Sequence, residues 1–406
     1  MPSVSPLSLL LVILGAIAAS SPGEAEEAGS LPPPVFHGAL ILPKNLEVEG
    51  TPFGGISGLD YDAANDTFYA LSDDRAQRGP ARYYTLHLTL DADGIHGIDI
   101  TSMHVLRPPG GGQFSAGEID PEALRLAADG THFYWSSEGD ENGTPEIFIS
   151  DLDGRASGQL SLPDAYLPNP SGTHHDGTSP DGNRPNGTQG VRDNLGFEAI
   201  ALSPDNTRLY AITENALIQD GGQATLYAGS PSRIIVFDLA SGNVAAEYVY
   251  ETDPIFRAPA FPLGGADNGV SEALALADGR LLVIERSYAA GVGNHIALYG
   301  VDLDDADDIS GLESIADRDV RAVRKTPWLV LDEGTFGLDL DNIEAASFGP
   351  MIDGQPSLVL ASDDNFNPLG QVTQFLLFTF TAPNAIPDTE PSGDLPVSQR
   401  KSGTAD

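Results

Sequence analysis

Short apolar runs recur along the chain, each bounded by a cluster of Gly, Asp, Asn, Pro or Ser. The runs are too short for helices and rich in β-branched and aromatic residues, so they predict strands. The clearest pair is Phe197-Glu198-Ala199-Ile200-Ala201-Leu202, then a Ser203-Pro204-Asp205-Asn206 turn, then Arg208-Leu209-Tyr210-Ala211-Ile212-Thr213-Glu214. This pattern is a β-hairpin. Antiparallel pairing brings its two open ends together, and each end carries a carboxylate, Glu198 and Glu214.

The hairpin recurs. Asp120-Pro121-Glu122 leads to Ser137-Glu138, and Val270-Ser271-Glu272 leads to Glu285-Arg286. Asn342-Ile343-Glu344 leads to Ser362-Asp363-Asp364, and Gly55-Ile56-Ser57 leads to Ser72-Asp73-Asp74-Arg75. Aligned on Ser57, Glu122, Glu198, Glu272 and Glu344, the copies stand 65, 76, 74 and 72 residues apart. The second acid follows the first position after 16, 16, 16, 13 and 19 residues. Five degenerate copies at a near-constant period predict a repeat architecture.

Each hairpin is followed by further strand-like runs: 82–88 and 98–106, 146–149 and 159–162, 233–239 and 244–250, 295–299 and 328–331. The fifth copy shows only 374–378. Four strands per unit, repeated radially, predict an all-β fold, a β-propeller. The lone run at 36–42 is expected to supply the missing outer strand of the last blade and so remove an open edge. Five blades are expected. Six is the alternative, if the connections 251–269 and 300–325 hide strands. A parallel α/β sheet needs amphipathic helices between strands, and only the short stretch 305–321 resembles one.

The propeller is expected over 35–381. Residues 7–19 are apolar and small residues follow, so 1–19 reads as a signal peptide of a secreted or periplasmic protein. Residues 20–34 are small, acidic and Pro-rich, a disordered spacer. The stretch 168–193 is a long inserted loop, and 382–406 is a polar, disordered tail. No other run is long enough to cross a bilayer, so no membrane span is expected after signal cleavage.

The absence of Cys excludes disulfides, thiolate metal sites and a Cys nucleophile. Asp and Glu total 59 against 20 Lys and Arg, a net charge of −39. Such a surface repels nucleic acid, and salt screens its self-repulsion, as in a halophilic protein.

In a propeller the inner strands surround a channel. The mouth is therefore expected to hold Glu122, Glu198, Glu272 and Glu344, with Glu138, Glu214, Glu285, Asp73, Asp74, Asp363 and Asp364 beside them. Carboxylates at this density cannot all ionise without a cation. Hard oxygen donors select Ca²⁺, with Mg²⁺ as the alternative. Arg75 and Arg286 follow rim acids, and Lys325 opens the last strand of the fourth repeat; all three offer donors to an anion. No nucleophile-elbow, zinc-protease or phosphate-loop motif is present, and Ser57 has no His partner placed by sequence.

With Gly54-Gly55-Ile56-Ser57-Gly58-Leu59-Asp60-Tyr61, Tyr69 to Arg75, Asn194 to Asn215, Leu282 to Arg286, Asp341 to Glu344 and Ser362 to Phe366 in view, the chain resembles the phytase-like family named for esterase-like activity of phytase. The resemblance spans roughly 36–380. It implies a secreted bacterial propeller and hydrolysis of a phosphoester or related ester. Family members commonly carry Glu-Gly where this chain has Glu-Ala at 122–123, 198–199 and 344–345. The expected activity is Ca²⁺-assisted hydrolysis of a small anionic or ester substrate by a monomer. In it Arg75, Arg286 and Lys325 grip the anion, and Glu198 or Glu214 serves as base. The alternative is a non-catalytic, calcium-stabilised propeller that binds a ligand or protein partner.

Overall fold

The computed structural model describes residues 31–139, 142–168 and 188–381. The signal peptide 1–19, the spacer up to residue 30, most of the 168–193 insertion and the tail 382–406 lie outside the described residues.

Strand alternation builds the core. Successive side chains of a strand point to opposite faces. In Arg208–Thr213, Leu209 and Ala211 enter one apolar cluster while Tyr210 and Ile212 enter the next. Both faces are covered, so the runs look almost continuously apolar. Five such clusters separate neighbouring sheets, with near-complete burial of large groups such as Phe68, Trp135, Phe197, Phe237 and Phe378. Each large apolar side chain buried this way stabilises the fold by about 1.5–3 kcal/mol.

The chain opens with β1 (Val35–Ile41) and a small ribbon, β2 (Glu47–Val48) with β3 (Thr51–Pro52). Blade one comprises β4 (Ile56–Asp62), β5 (Thr67–Ser72), β6 (Arg82–Asp91) and β7 (Gly94–Val105). Blade two comprises β8 (Pro121–Leu126), β9 (His132–Ser137), β10 (Glu146–Asp151) and β11 (Ala156–Gln159). Blade three comprises β12 (Phe197–Leu202), β13 (Arg208–Thr213), β14 (Pro231–Asp238) and β15 (Asn243–Glu251). Blade four comprises β16 (Ala266–Ala275), β17 (Leu281–Ala289), β18 (Gly293–Asp302) and β19 (Arg324–Asp332). Blade five comprises β20 (Asn342–Ile352), β21 (Gln355–Asp363) and β22 (Gln374–Thr379), with β1 as its outer strand.

The result is a five-bladed β-propeller of antiparallel four-stranded sheets. β1 pairs with β22 from Val35 against Thr379 to Ile41 against Gln374, so the first strand closes the last blade as expected. The connections 251–269 and 300–325 hold no further sheet; their ends extend β16, β18 and β19 instead.

Three details differ from expectation. The stretch 305–321 forms no helix: Asp305 and Asp317 take positive φ, and Ile309 and Ile315 pack on Val249 of β15. The outer strand of blade two ends at Gln159 rather than beginning there, because a turn at Gly154 returns the chain earlier. Ordered contact also begins before residue 35, since the Trp328 indole N–H donates to the Pro32 carbonyl at 2.6 Å and Leu31 packs beside it.

Candidate active site at the channel mouth

Register decides which side chains meet at the mouth. In every inner hairpin the pairing slips by one residue near the rim, and the extra residue sits in a bulge. The slip falls at Ser57, Glu198 and Glu344 in blades one, three and five, and beside Glu122 in blade two. In blade four it falls at Ser271, not Glu272. Ser57 and Ser271 confirm their equivalence: each hydroxyl donates to the residue preceding the next bulge, Pro121 at 3.3 Å and Ile343 at 3.2 Å.

The returning strands follow the same logic. Ile56, Pro121, Phe197, Val270 and Ile343 pair with Ser72, Ser137, Thr213, Glu285 and Ser362. The next residue of each strand is therefore the ring position: Asp73, Glu138, Glu214, Arg286 and Asp363. Four blades place an acid there and blade four places an arginine.

This corrects the expected site in five places. Glu272 lies inside the channel, fully buried, with Oε1 at 2.8 Å from Arg125 Nη2. Glu285 occupies a slot that holds Ser or Thr in the other blades. It accepts from the Tyr250 hydroxyl (2.7 Å), the Asp253 N–H (2.8 Å), Asn268 Nδ2 (3.0 Å) and Lys325 Nζ (2.6 Å). Lys325 is thereby committed to Glu285 and to Asp253 at 2.7 Å, with its ammonium over the Tyr250 and Tyr299 rings. Asp74 is buried against Arg82 at 2.6 Å and accepts the Gln77 and Arg78 N–H groups. Asp364 accepts the N–H groups of Gly55 and Phe366 and so fixes the backbone behind Asp73. One-residue shifts in a strand exchange its faces, which is why Glu272 and Glu285 leave the rim together.

The remaining acids converge. Ligand oxygens of Asp120, Glu122 and Glu138 lie within 4.8 Å of one another, as do those of Glu138, Glu198 and Glu214. Glu138 joins the two groups. Its side chain accepts the Gly196 N–H and is hydrogen bonded to Glu198. On the opposite side Glu344 is hydrogen bonded to Asp363, and Asn342 Nδ2 donates to Glu344 at 2.9 Å.

Two guanidinium groups flank the acids. Arg286 Nη1 lies 2.5 Å from Asp267, and its Nη2 lies 3.4 Å from Glu344 and 3.6 Å from Glu214. Arg75 Nη2 lies 3.3 Å from Asp120, and its Nη1 donates to Asn194 at 3.5 Å. Asp120 and Asp267 were not singled out by sequence. The position of Asp120 two residues before Glu122 was the available signal; nothing local marks Asp267.

Burial raises the carboxyl pKa values of Glu122, Glu198, Glu214, Asp73, Glu344 and Asp363, and neighbouring acids raise most of them further. Burial and Asp120 push Glu138 up to about 8. Burial works against the charge of Arg286, yet Asp267, Glu344 and Glu214 hold it protonated. Asp73 Oδ1, Arg75 Nε and Arg286 Nε are buried without a hydrogen-bond partner among the described residues. An acid ring with an orphaned oxygen suits a hard divalent cation, and orphaned guanidinium N–H groups suit an anion.

Arg125 and Glu272 form a buried pair in the interior. Arg125 crosses from β8 and donates to the Leu59 carbonyl (2.9 Å) and the Ala273 carbonyl (2.7 Å), besides its pair with Glu272. It ties blades one, two and four together.

An uncharacterised secreted protein of Arthroderma benhamiae is 28% identical over 179 residues, 40% of this chain and 33% of that protein. The match thus spans about a third of that relative's length. Among solved structures, the periplasmic gluconolactonase PpgL of Pseudomonas aeruginosa aligns at 13% identity and TM-score 0.34, covering 82% of this chain and 87% of that one. A protein of unknown function from Dyadobacter fermentans aligns at 10% identity and TM-score 0.36, covering 86% and 100%. No helix among the described residues is long and apolar enough to cross a membrane. The family model for phytase-like proteins, described as esterase-like activity of phytase, matches residues 51–366, and the chain belongs to that family.

Proposed function

We propose that the mouth hydrolyses a phosphoester or related anionic ester with the help of a divalent cation, Ca²⁺ being the best fit. The observation that carries this reading is the split of the ring. Acids of blades two and three form two groups that share Glu138, the oxygens of each group lying within 4.8 Å of one another, and a guanidinium stands on either side of them.

Asp120, Glu122, Glu138, Glu198 and Glu214 would hold the cation. Bound there, Ca²⁺ would neutralise substrate charge and polarise the scissile bond. Arg286 and Arg75 would exchange contacts to neighbouring carboxylates for the non-bridging oxygens and so orient the ester. Lys325 takes no part, since its ammonium is held at the Glu285 slot by Glu285 and Asp253 and not at the ring position that Arg286 occupies. Glu198 and Glu214 face the cation groups, so the base role moves to the Glu344–Asp363 pair. The two carboxyl groups are hydrogen bonded to each other, burial raises both pKa values, and the pair lies beside Arg286. Glu344 in its ionised form can take a proton from water, and Asp363 in its protonated form can return one to the leaving group.

The experiment is turnover of a phosphomonoester panel, including p-nitrophenyl phosphate and phytate, with calcium and with chelator. Wild type should turn over at least one ester only with calcium. Glu344→Gln and Arg286→Ala should each lower kcat/KM about a hundredfold or more, the scale of losing an acid–base or charge-stabilising group. A folded protein that turns over no ester would instead favour a propeller that only binds its ligand.

A further inference from the structure

Blade four differs from its neighbours above the ring. In blades one, two and three the inner pairing stops at Ile56 with Ser72, Pro121 with Ser137, and Phe197 with Thr213. In blade four it continues through Gly269 with Arg286, Asn268 with Ser287, Asp267 with Tyr288 and Ala266 with Ala289. The inner hairpin therefore rises as a wall beside the mouth. Alternation sorts its residues. Asn268, Glu285 and Ser287 face the body of the protein: Asn268 Nδ2 donates to Asp253 O at 2.7 Å, and Ser287 Oγ accepts from the Phe256 N–H at 3.3 Å. Asp267, Gly269, Arg286 and Tyr288 share the other face.

Asp267 pairs with Arg286, and the other three residues of that face shape the wall. Gly269 admits Glu214 against the wall, since a Cβ there would stand 2.4 Å from Glu214 Cγ. Arg286 lies between Glu214 and Glu344. Tyr288 is the next residue outward on the same face, about 7 Å along the strand. It is 38% exposed, and no described residue hydrogen bonds its hydroxyl.

We infer that Tyr288 is a specificity-determining residue: the wall seats an anionic ester with its charged oxygens on Arg286 and a flat, apolar leaving group against the Tyr288 ring. The substrate class is then an aryl ester rather than a polyol or short alkyl ester. The inference rests on the anion-binding role given to Arg286 above, but not on turnover. Edge or face contact between aromatic rings adds about 0.5–1.5 kcal/mol beyond area burial. That corresponds to roughly two- to twelvefold in affinity.

The test is calorimetric binding of phenylphosphonate and methylphosphonate to the full chain in calcium-containing buffer. Both are non-hydrolysable, so the result is independent of chemistry. Wild type should bind phenylphosphonate about five- to tenfold more tightly. Tyr288→Ala should erase that preference and leave methylphosphonate affinity unchanged, while Tyr288→Phe should retain it. Equal binding of the two probes, no binding of either, or equal losses in Tyr288→Ala would overturn the inference. Preferential binding without turnover of any ester would sink the hydrolase reading and leave Tyr288 as the residue that selects an aryl anion as ligand.

Discussion

Glu138 shows how a single residue couples burial to function. Its carboxyl is pushed up to about 8 from an ordinary value of 4.5, first by burial and then by Asp120. Between those values the folded protein holds a proton that the unfolded chain has released. Stability must then fall as pH rises from about 4.5 to about 8 and level off above. For the cation-free protein the Glu138 contribution is on the order of a few kcal/mol. Calcium should reverse it, because a ligand carboxylate is bound ionised. Melting temperature against pH, with chelator and with calcium, checks this: a chelated protein as stable at pH 8 as at pH 5 would refute the protonated ring. Glu272, also pushed up to about 8 by burial despite Arg125, lies in the interior, and calcium should leave its contribution unchanged.

At the scale of elements, the hairpins were legible because strand and turn chemistry are local. The closing strand was legible because an unpaired run and a missing strand complement each other. Blade four was not. Its sequence carries Glu272 one residue late and Glu285 one residue early, so matching residue types gave a spacing of 13. The bulge at Ser271 and the ring position at Arg286 restore 15, close to the 16 of three other blades. Residue identity cannot reveal a bulge, and a one-residue slip exchanges faces. The same slip hid the meaning of Arg286, which stands where the other blades place an acid. Arg125 was legible in principle, since an arginine within Pro121–Leu126 had to find partners inside the channel. Mouth loops have their own constraints. A Cβ at Gly229 would lie 1.8 Å from the Thr252 carbonyl oxygen, where Ser230 N–H also meets Thr252 Oγ1 at 2.8 Å. Gly229→Ala should destabilise by about 1–3 kcal/mol or more. Gly222→Ala, in open space, should cost far less. Equal denaturation midpoints for the two variants would contradict the close approach.

At the scale of the molecule, most acids of the described residues lie outside the buried set, and the ring gathers several of the buried ones at one mouth. Buried pairs take up part of the charge: Arg82 with Asp74, Arg233 with Asp220 and Glu247, and Lys325 with Glu285. The residual charge of −39 repels itself across the whole surface. Salt screens that repulsion, so melting temperature should climb from low to molar sodium chloride. A flat response would assign the surface acids some other role. Strand register, not the grouping of acids in the sequence, defines the proposed cation site. Calcium affinity of Glu138→Gln against Glu285→Gln, measured by calorimetry on folded protein, tests it most directly. The account predicts a loss of at least about tenfold in Glu138→Gln, the scale of removing a group from a metal site, and a change within about twofold in Glu285→Gln. Equal losses in both variants, or no calcium binding by the wild type, would contradict it.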